Sequence, residues 1–237
     1  MERFVREVRP QMISWDHYMP QYSDDMRDLA KATLYYANLV QVREIAQRHG
    51  LPYWHIVSSS RIRKGAAVPT PASLAFKAWT SLAAGCSSVA WFCYYDHGMR
   101  WSPVDDLERR NLTWYWLAEV NRQLALAGPI LKEMRSTGLY LTMEGLTEPM
   151  PTPPESLASA ITSAQPLMLG TFKDGDGVCH AVVVNLSLER TAVVNLDYPV
   201  TVQELSLAGD GWLARDSDEP LYLPPGQGAV LRVNARC

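Results

Sequence analysis

The 237-residue chain lacks many marks from which a function is usually read. No stretch approaches 18 uninterrupted apolar residues, so a membrane span is not expected. The opening Met1-Glu2-Arg3-Phe4-Val5-Arg6 has no apolar core of a signal peptide. A soluble protein is expected, either cytoplasmic or with its leader removed. Cysteine is scarce, and Cys86, Cys93, Cys179 and Cys237 never fall in CxxC spacing. They read as free thiols acting as small hydrophobes, and no metal is expected. A glycine-rich phosphate loop and a dinucleotide fingerprint are both missing, so no cofactor is implied. Basic excess is missing too. With 22 Lys+Arg against 25 Asp+Glu the net charge is −3, which argues against nucleic acid as a partner.

What is present is an ordinary globular composition, 47% hydrophobic and 20% charged, which excludes gross disorder. It is unevenly spread. Seven of the eight tryptophans precede residue 150, and residues 151–237 carry 5 basic against 10 acidic residues. Two parts with different composition suggest two domains, 1–137 and 138–237.

In the first part, residues 2–8 read as a helix that Pro10 stops. Gln11-Met12-Ile13-Ser14-Trp15-Asp16-His17-Tyr18 is a short strand-like run. Asp24 and Asp25 open a long helical pattern in which Met26, Leu29, Thr33, Leu34, Ala37, Val40 and Ile45 recur at helical steps, up to Gly50. Tyr53-Trp54-His55-Ile56-Val57-Ser58 is a second strand. Thr70-Pro71 starts a second long helix with Leu74, Ala75, Ala78, Trp79, Leu82 and Ala83 on its apolar face. Ser88–Tyr95 is a third strand, apolar on both faces as in a covered parallel sheet. A helix over about 107–134 follows. Strand then helix, three times at crossover length, predicts parallel α/β architecture.

From residue 138 the pattern changes. Residues 139–142 read as a strand, and 145–166, rich in Pro, Ser and Thr, as a linker or long loop. Short strands are expected at 180–186, 192–196, 200–207, 220–223 and 229–233. Turns at Asp174-Gly175, Asp176-Gly177, Asp210-Gly211 and Pro225-Gly226 separate them. The expectation is a small antiparallel β-sandwich.

Sites in parallel α/β folds lie at the carboxyl ends of the strands. Those ends carry Trp15, Asp16, His17 and Tyr18, then Ser58-Ser59-Ser60, then Tyr94, Tyr95, Asp96 and His97, with Trp101 beyond. Aromatic faces beside carboxylates and hydroxyls are the groups that recognise sugars. Asp16 is open to catalytic, sugar-binding and structural readings, and Asp96 to a catalytic role or to starting a turn with Gly98. His17 and His97 suit hydroxyl contacts or proton transfer. Tyr18, Ser58 and Tyr95 are candidate binding groups. Trp15 and Trp101 are candidate stacking platforms, whereas Trp54, Trp91 and His55, mid-strand, read as core. Arg61, Arg63 and Lys64 read as a solvated loop. Ser58–Ser60 lack a G-x-S-x-G elbow, so a serine hydrolase has little support.

Ser14-Trp15-Asp16-His17-Tyr18-Met19-Pro20 resembles the Ser-Trp-Asp-x-Tyr-Pro end of the sixth strand in family 42 glycoside hydrolases and related clan A barrels. Thr70–Gly85 with Ser88–Tyr95 resembles their seventh helix and eighth strand. Gly128-Pro129-Ile130-Leu131 resembles the end of their last helix, and 182–226 their following β-sandwich. The resemblance implies a partial (β/α) barrel, a carbohydrate ligand and glycosidic bond cleavage. It also implies two catalytic glutamates that this chain does not supply. The strand end where the nucleophile is expected reads Val57-Ser58-Ser59-Ser60, and the unit holding the acid/base glutamate has no counterpart. A glycosidase needs two carboxyls about 5–9.5 Å apart, and Asp16 and Asp96 are the only strand-end carboxylates. Activity would therefore require a homo-oligomer or complementing chain, which would also cover the open barrel edge. The alternative is a binding remnant or a fragment without turnover.

Overall fold

A computed structural model describes residues 1–20, 26–198, 200–216 and 219–236, with backbone alone for 234–236. Its first part is α1 (Glu2–Val8), β1 (Ile13–Asp16), α2 (Leu29–Arg48), β2 (Tyr53–Ser58), α3 (Pro71–Ala83), β3 (Ser88–Phe92) and α4 (Leu112–Lys132). Strands β1, β2 and β3 form a parallel sheet in that order. The second part is β4 (Arg135–Leu141), α5 (Glu155–Ala160), β5 (Ile161–Ser163), β6 (Leu167–Lys173), β7 (Val178–Asn185), β8 (Ala192–Leu196), β9 (Val202–Leu205), β10 (Trp212–Ala214), β11 (Leu221–Leu223) and β12 (Gly228–Arg236). These form a six-stranded sheet, β10-β9-β12-β7-β6-β4, facing a three-stranded one, β11-β8-β5. The pairings in both are antiparallel. The architecture is a parallel α/β part followed by an antiparallel β-sandwich, as the sequence patterns predict, and the first part is the partial (β/α) barrel that the resemblance implies.

Local chemistry sets the helix boundaries. Asp28 caps α2 by accepting from the Ala30 and Lys31 amides. The earlier start expected at Asp24 and Asp25 lies outside the described residues. Thr70 and Ser73 close a capping box on α3, with Pro71 in the first turn. Helix α4 begins at Leu112 rather than near 107, because Asp105 Oδ1 accepts from the Leu107 and Arg109 amides and holds a turn there. Asn111 then caps the helix.

Three strands went unread in the sequence. Residues 145–166, expected as linker, hold α5 and β5, because Ile161 fills the second core beside Leu196 on β8. Strand β10 follows the turn at Asp210-Gly211. Strand β6 is nearly all apolar and buried but is interrupted by Gly170. That glycine has a packing cause. A Cβ there would run into the Ala83 carbonyl at the end of α3, and one on Gly228 would strike the Trp79 ring. The glycines let the six-stranded sheet approach α3 closely.

The result is a layered body. Helices cover one face of the parallel sheet, and α3 also packs on β6, β7 and β12. Alternation along the six-stranded sheet sends Met168, Phe172, Val182, Val184 and Val230 into the helix-side core. The neighbouring Leu167, Leu169, Val183 and Leu231 enter the core shared with the small sheet. One core cluster thus runs from Ile13 and Tyr53 through α3 to Val230. Strand β3, expected to be covered on both faces, is only half-buried along its length, since helices lie on one side. Cys86 and Cys93 flank β3 as free thiols, whereas Cys179 is disulfide-bonded, which corrects the free-thiol reading.

Gly170→Ala is expected to destabilise the protein by about 1–3 kcal/mol, the usual cost of overpacking, in urea unfolding. Gly175→Ala, which meets nothing within 4 Å, should change stability by less than about 0.5 kcal/mol.

Candidate functional site

In-register parallel pairing puts alternate residues on one face. Ser14, Trp54 and Ser88 form one row, Asp16, Ile56 and Ala90 the next, and Ser58 pairs with Phe92 at the end. Up to Asp16 and Ile56 this face is not covered by the helices, whereas Ser58 at its end is buried against Lys77 of α3. Asp16 is exposed on it, and Trp54, expected as core, is 40% exposed there. The opposite face meets the helices. Trp15 belongs to it. Its ring stacks on His55 at 4.5 Å between centroids and is buried in the core, so the expected platform is a core residue instead. Trp91 likewise turns inward, its indole N–H donating to Asn121 on α4 at 2.9 Å.

At the carboxyl ends, Tyr18 stacks on Phe92 at 5.3 Å. Its hydroxyl pKa is raised by burial and by the neighbouring Asp16 carboxylate. His17 bonds through Nδ1 to the Asn38 amide at 2.8 Å and sets its ring edge against Tyr35. Burial lowers its pKa and holds it neutral. The three serines tie strand ends together. The Ser59 amide donates to the Phe92 carbonyl and the Ser59 hydroxyl to the Cys93 carbonyl.

The loop after β3 forms a separate group. Asp96 Oδ1 accepts from the Arg100 amide at 2.9 Å and braces the turn through Gly98. The Tyr95 hydroxyl donates to the Asp106 carbonyl, and its ring meets His97 edge-on at 5.3 Å. His97 is exposed, and Trp101 is 37% exposed. The arrangement thus groups Asp16, Tyr18 and Phe92, while Tyr95 and His97 pair within the loop. Among the described residues no cluster of three metal-ligating side chains occurs, and no helix is long and apolar enough to cross a membrane.

Sequence reasoning passed over Lys77. It is 2% exposed, and its Nζ donates to the Ser58 carbonyl and meets the Ser58 hydroxyl, both at 2.9 Å. Four residues on, Ser81 bonds His55 Nδ1 at 2.8 Å. Ser73, Lys77 and Ser81 make a polar stripe at four-residue spacing on a helix buried all round, and that stripe was the available signal. Burial drives the Lys77 pKa down to about 7, and that of His55 down to about 3.

No protein-family model and no curated protein matches this chain. Solved structures do. One is a candidate α-galactosidase/melibiase from Bacteroides fragilis, at 11% identity and TM-score 0.51, covering 98% of this chain and 44% of that one. Another is a family 27 β-L-arabinopyranosidase from Geobacillus stearothermophilus, at 11% identity and TM-score 0.45, covering 94% and 45%. The chain spans under half the length of either. The first likeness is one of fold, to a protein described as a glycosidase. It does not reach family 42.

The lowered Lys77 pKa has a sign. The unfolded chain, with an ordinary amine near ~10.4, binds more protons than the folded one above pH 7, so stability should rise with pH there. The clean window is about pH 7–8.5, above the lowered histidines and below the raised Cys86 and tyrosine groups, which act oppositely. The slope should approach about 1.4 kcal/mol per pH unit. Lys77→Met should flatten it in urea titrations.

Proposed function

We propose that the strand ends of this chain form one side of a carbohydrate site of the glycoside-hydrolase type. The observation that carries this reading is the Asp16–Tyr18–Phe92 group on the open face of the parallel sheet. It combines a carboxylate, a phenol and an aromatic face, which suit the hydroxyls and C–H face of a pyranose. The fold likeness to a protein described as a galactosidase supports the same class. Tyr95, His97 and Trp101 on the loop after β3 form a second candidate group, whereas Ser58 is buried and His17 is held by Asn38.

Bond cleavage in this reading belongs to an assembly. Two carboxyls must flank the scissile bond, whereas Asp96 is engaged in bracing its own turn. A second copy or a complementing chain would supply the missing carboxylate and cover the free edges of β1 and β3. A binding surface without turnover is the second reading. It is favoured by the serines at 58–60, where the resemblance expects a glutamate.

Methyl α- and β-galactosides, titrated by calorimetry, are the first probes. Asp16→Asn is expected to weaken binding about ten-fold, the worth of one hydrogen bond to a charged group, with thermal unfolding unchanged. Equal affinity in that variant would contradict the assignment. Hydrolysis of p-nitrophenyl galactosides should accompany a dimer or larger species in light scattering. Turnover by a 26.6 kDa monomer would contradict the need for a partner.

A further inference from the structure

A cavity of about 120 Å3 lies beside Lys77, between the end of β2, the 61–69 loop, the first turns of α3 and Leu188. Its polar lining is Ser58, Ser60, Thr70, Ser73 and Lys77, and the rest is apolar, including Ile62, Val68 and Leu188. No carboxylate is in that lining, and no described acidic residue pairs with Lys77. A buried ammonium without a counter-ion is costly, and two oxygens of Ser58 do not neutralise it. The cavity also sits at the amino end of α3, a thirteen-residue helix whose dipole favours negative charge.

We propose that this cavity is a binding site for a carboxylate, held by the Lys77 ammonium with the Ser58 and Ser60 hydroxyls. One amine matches one negative charge, which favours a carboxylate over a phosphate dianion. The apolar wall of Ile62, Val68 and Leu188 suits the carbon side of a small organic acid. The site stands independently of the galactoside reading, since a free acid satisfies it as well as the carboxylate of a sugar acid.

Binding should be coupled to a proton. The amine has a pKa of about 7, so at pH 8 it is mostly neutral and must be protonated to hold an anion. The titratable and charged groups on the elements around the cavity are His55 on β2, His17 after β1, Cys93 against the Ser60 hydroxyl, and Arg61, Arg63 and Lys64 on the 61–69 loop; burial lowers the pKa of both histidines, which are neutral at pH 8. Tyr18, whose carbonyl oxygen lies 3.4 Å from the Ser58 hydroxyl, is protonated there too, its phenol being raised. Glu189, next to Leu188, is paired with Arg27. Neither histidine competes for the proton at pH 8.

The test is calorimetry of the full chain with sodium acetate and with sodium galacturonate, in two buffers of different ionisation heat, at pH 6 and pH 8. Lys77-dependent binding of acetate would identify a free small acid as the source, and tighter binding of galacturonate a sugar acid. Either supports the site. Uptake approaching one proton per ligand is expected at pH 8, and little at pH 6. Lys77→Met should weaken binding at least ten-fold. Absence of binding by both acids, binding unaltered in Lys77→Met, or binding without proton uptake at pH 8 would overturn the proposal. The proton count needs no variant, so it remains decisive if Lys77→Met fails to fold.

Discussion

The structure depends on burying one helix from every side. All residues of α3 from Ser73 to Ala83 are buried, between the parallel sheet on one flank and the six-stranded sheet on the other. An amphipathic helix needs one apolar face. This one needs two, and it has them in Phe76 and Trp79 with the run of alanines around them. The two parts of the chain differ in composition and fold class, yet they share this element and one core. The Trp79 indole N–H donates to Gln123 on α4, and Gln227 before β12 donates to the same oxygen, so a polar clasp joins helix, helix and sandwich inside the interface.

That burial also organises the strand ends. A helix enclosed on both sides can hold polar groups only where they find partners. Ser81 meets His55, Thr80 meets Tyr35, and Lys77 meets Ser58. The first ties α3 to the helix-facing side of β2, the second ties it to α2, and the third ties it to the end of β2. The opposite face is left to Asp16, Trp54 and Phe92, and Tyr18 lies over its end. Chemistry-bearing residues on that face therefore rest on a rigid backing, with α3 as the support and the sandwich behind it.

Much of the fold was legible because its signals are local. Helical spacing in Leu29–Ile45 and Leu74–Ala83, the Thr70-Pro71 start and the Gly50 stop all describe single elements. What was illegible came from contacts between distant parts. Gly170 breaks the apolar run of 167–173 for no local reason until the approach of Ala83 is known, and Ile161 reads as linker until Leu196 lies beside it. The site was half legible. Strand ends were found, and Asp16 and Tyr18 fall together. Which face each side chain takes depends on register, and this reverses Trp15 and Trp54. Lys77 was hidden because a single lysine in an apolar helix looks like a solvent-facing exception, when it is a buried amine at the neck of a cavity.

Helix α3 is the shared centre of a single cooperative body. Native-state hydrogen exchange of the backbone amides tests that directly. Amides from Phe76 to Ala83 should exchange only through global unfolding, with the same free energy and denaturant dependence as the β6 and β7 amides. Exchange of α3 through a smaller opening, with the sandwich strands still protected, would mean that the helix belongs to the parallel sheet alone and would contradict the account.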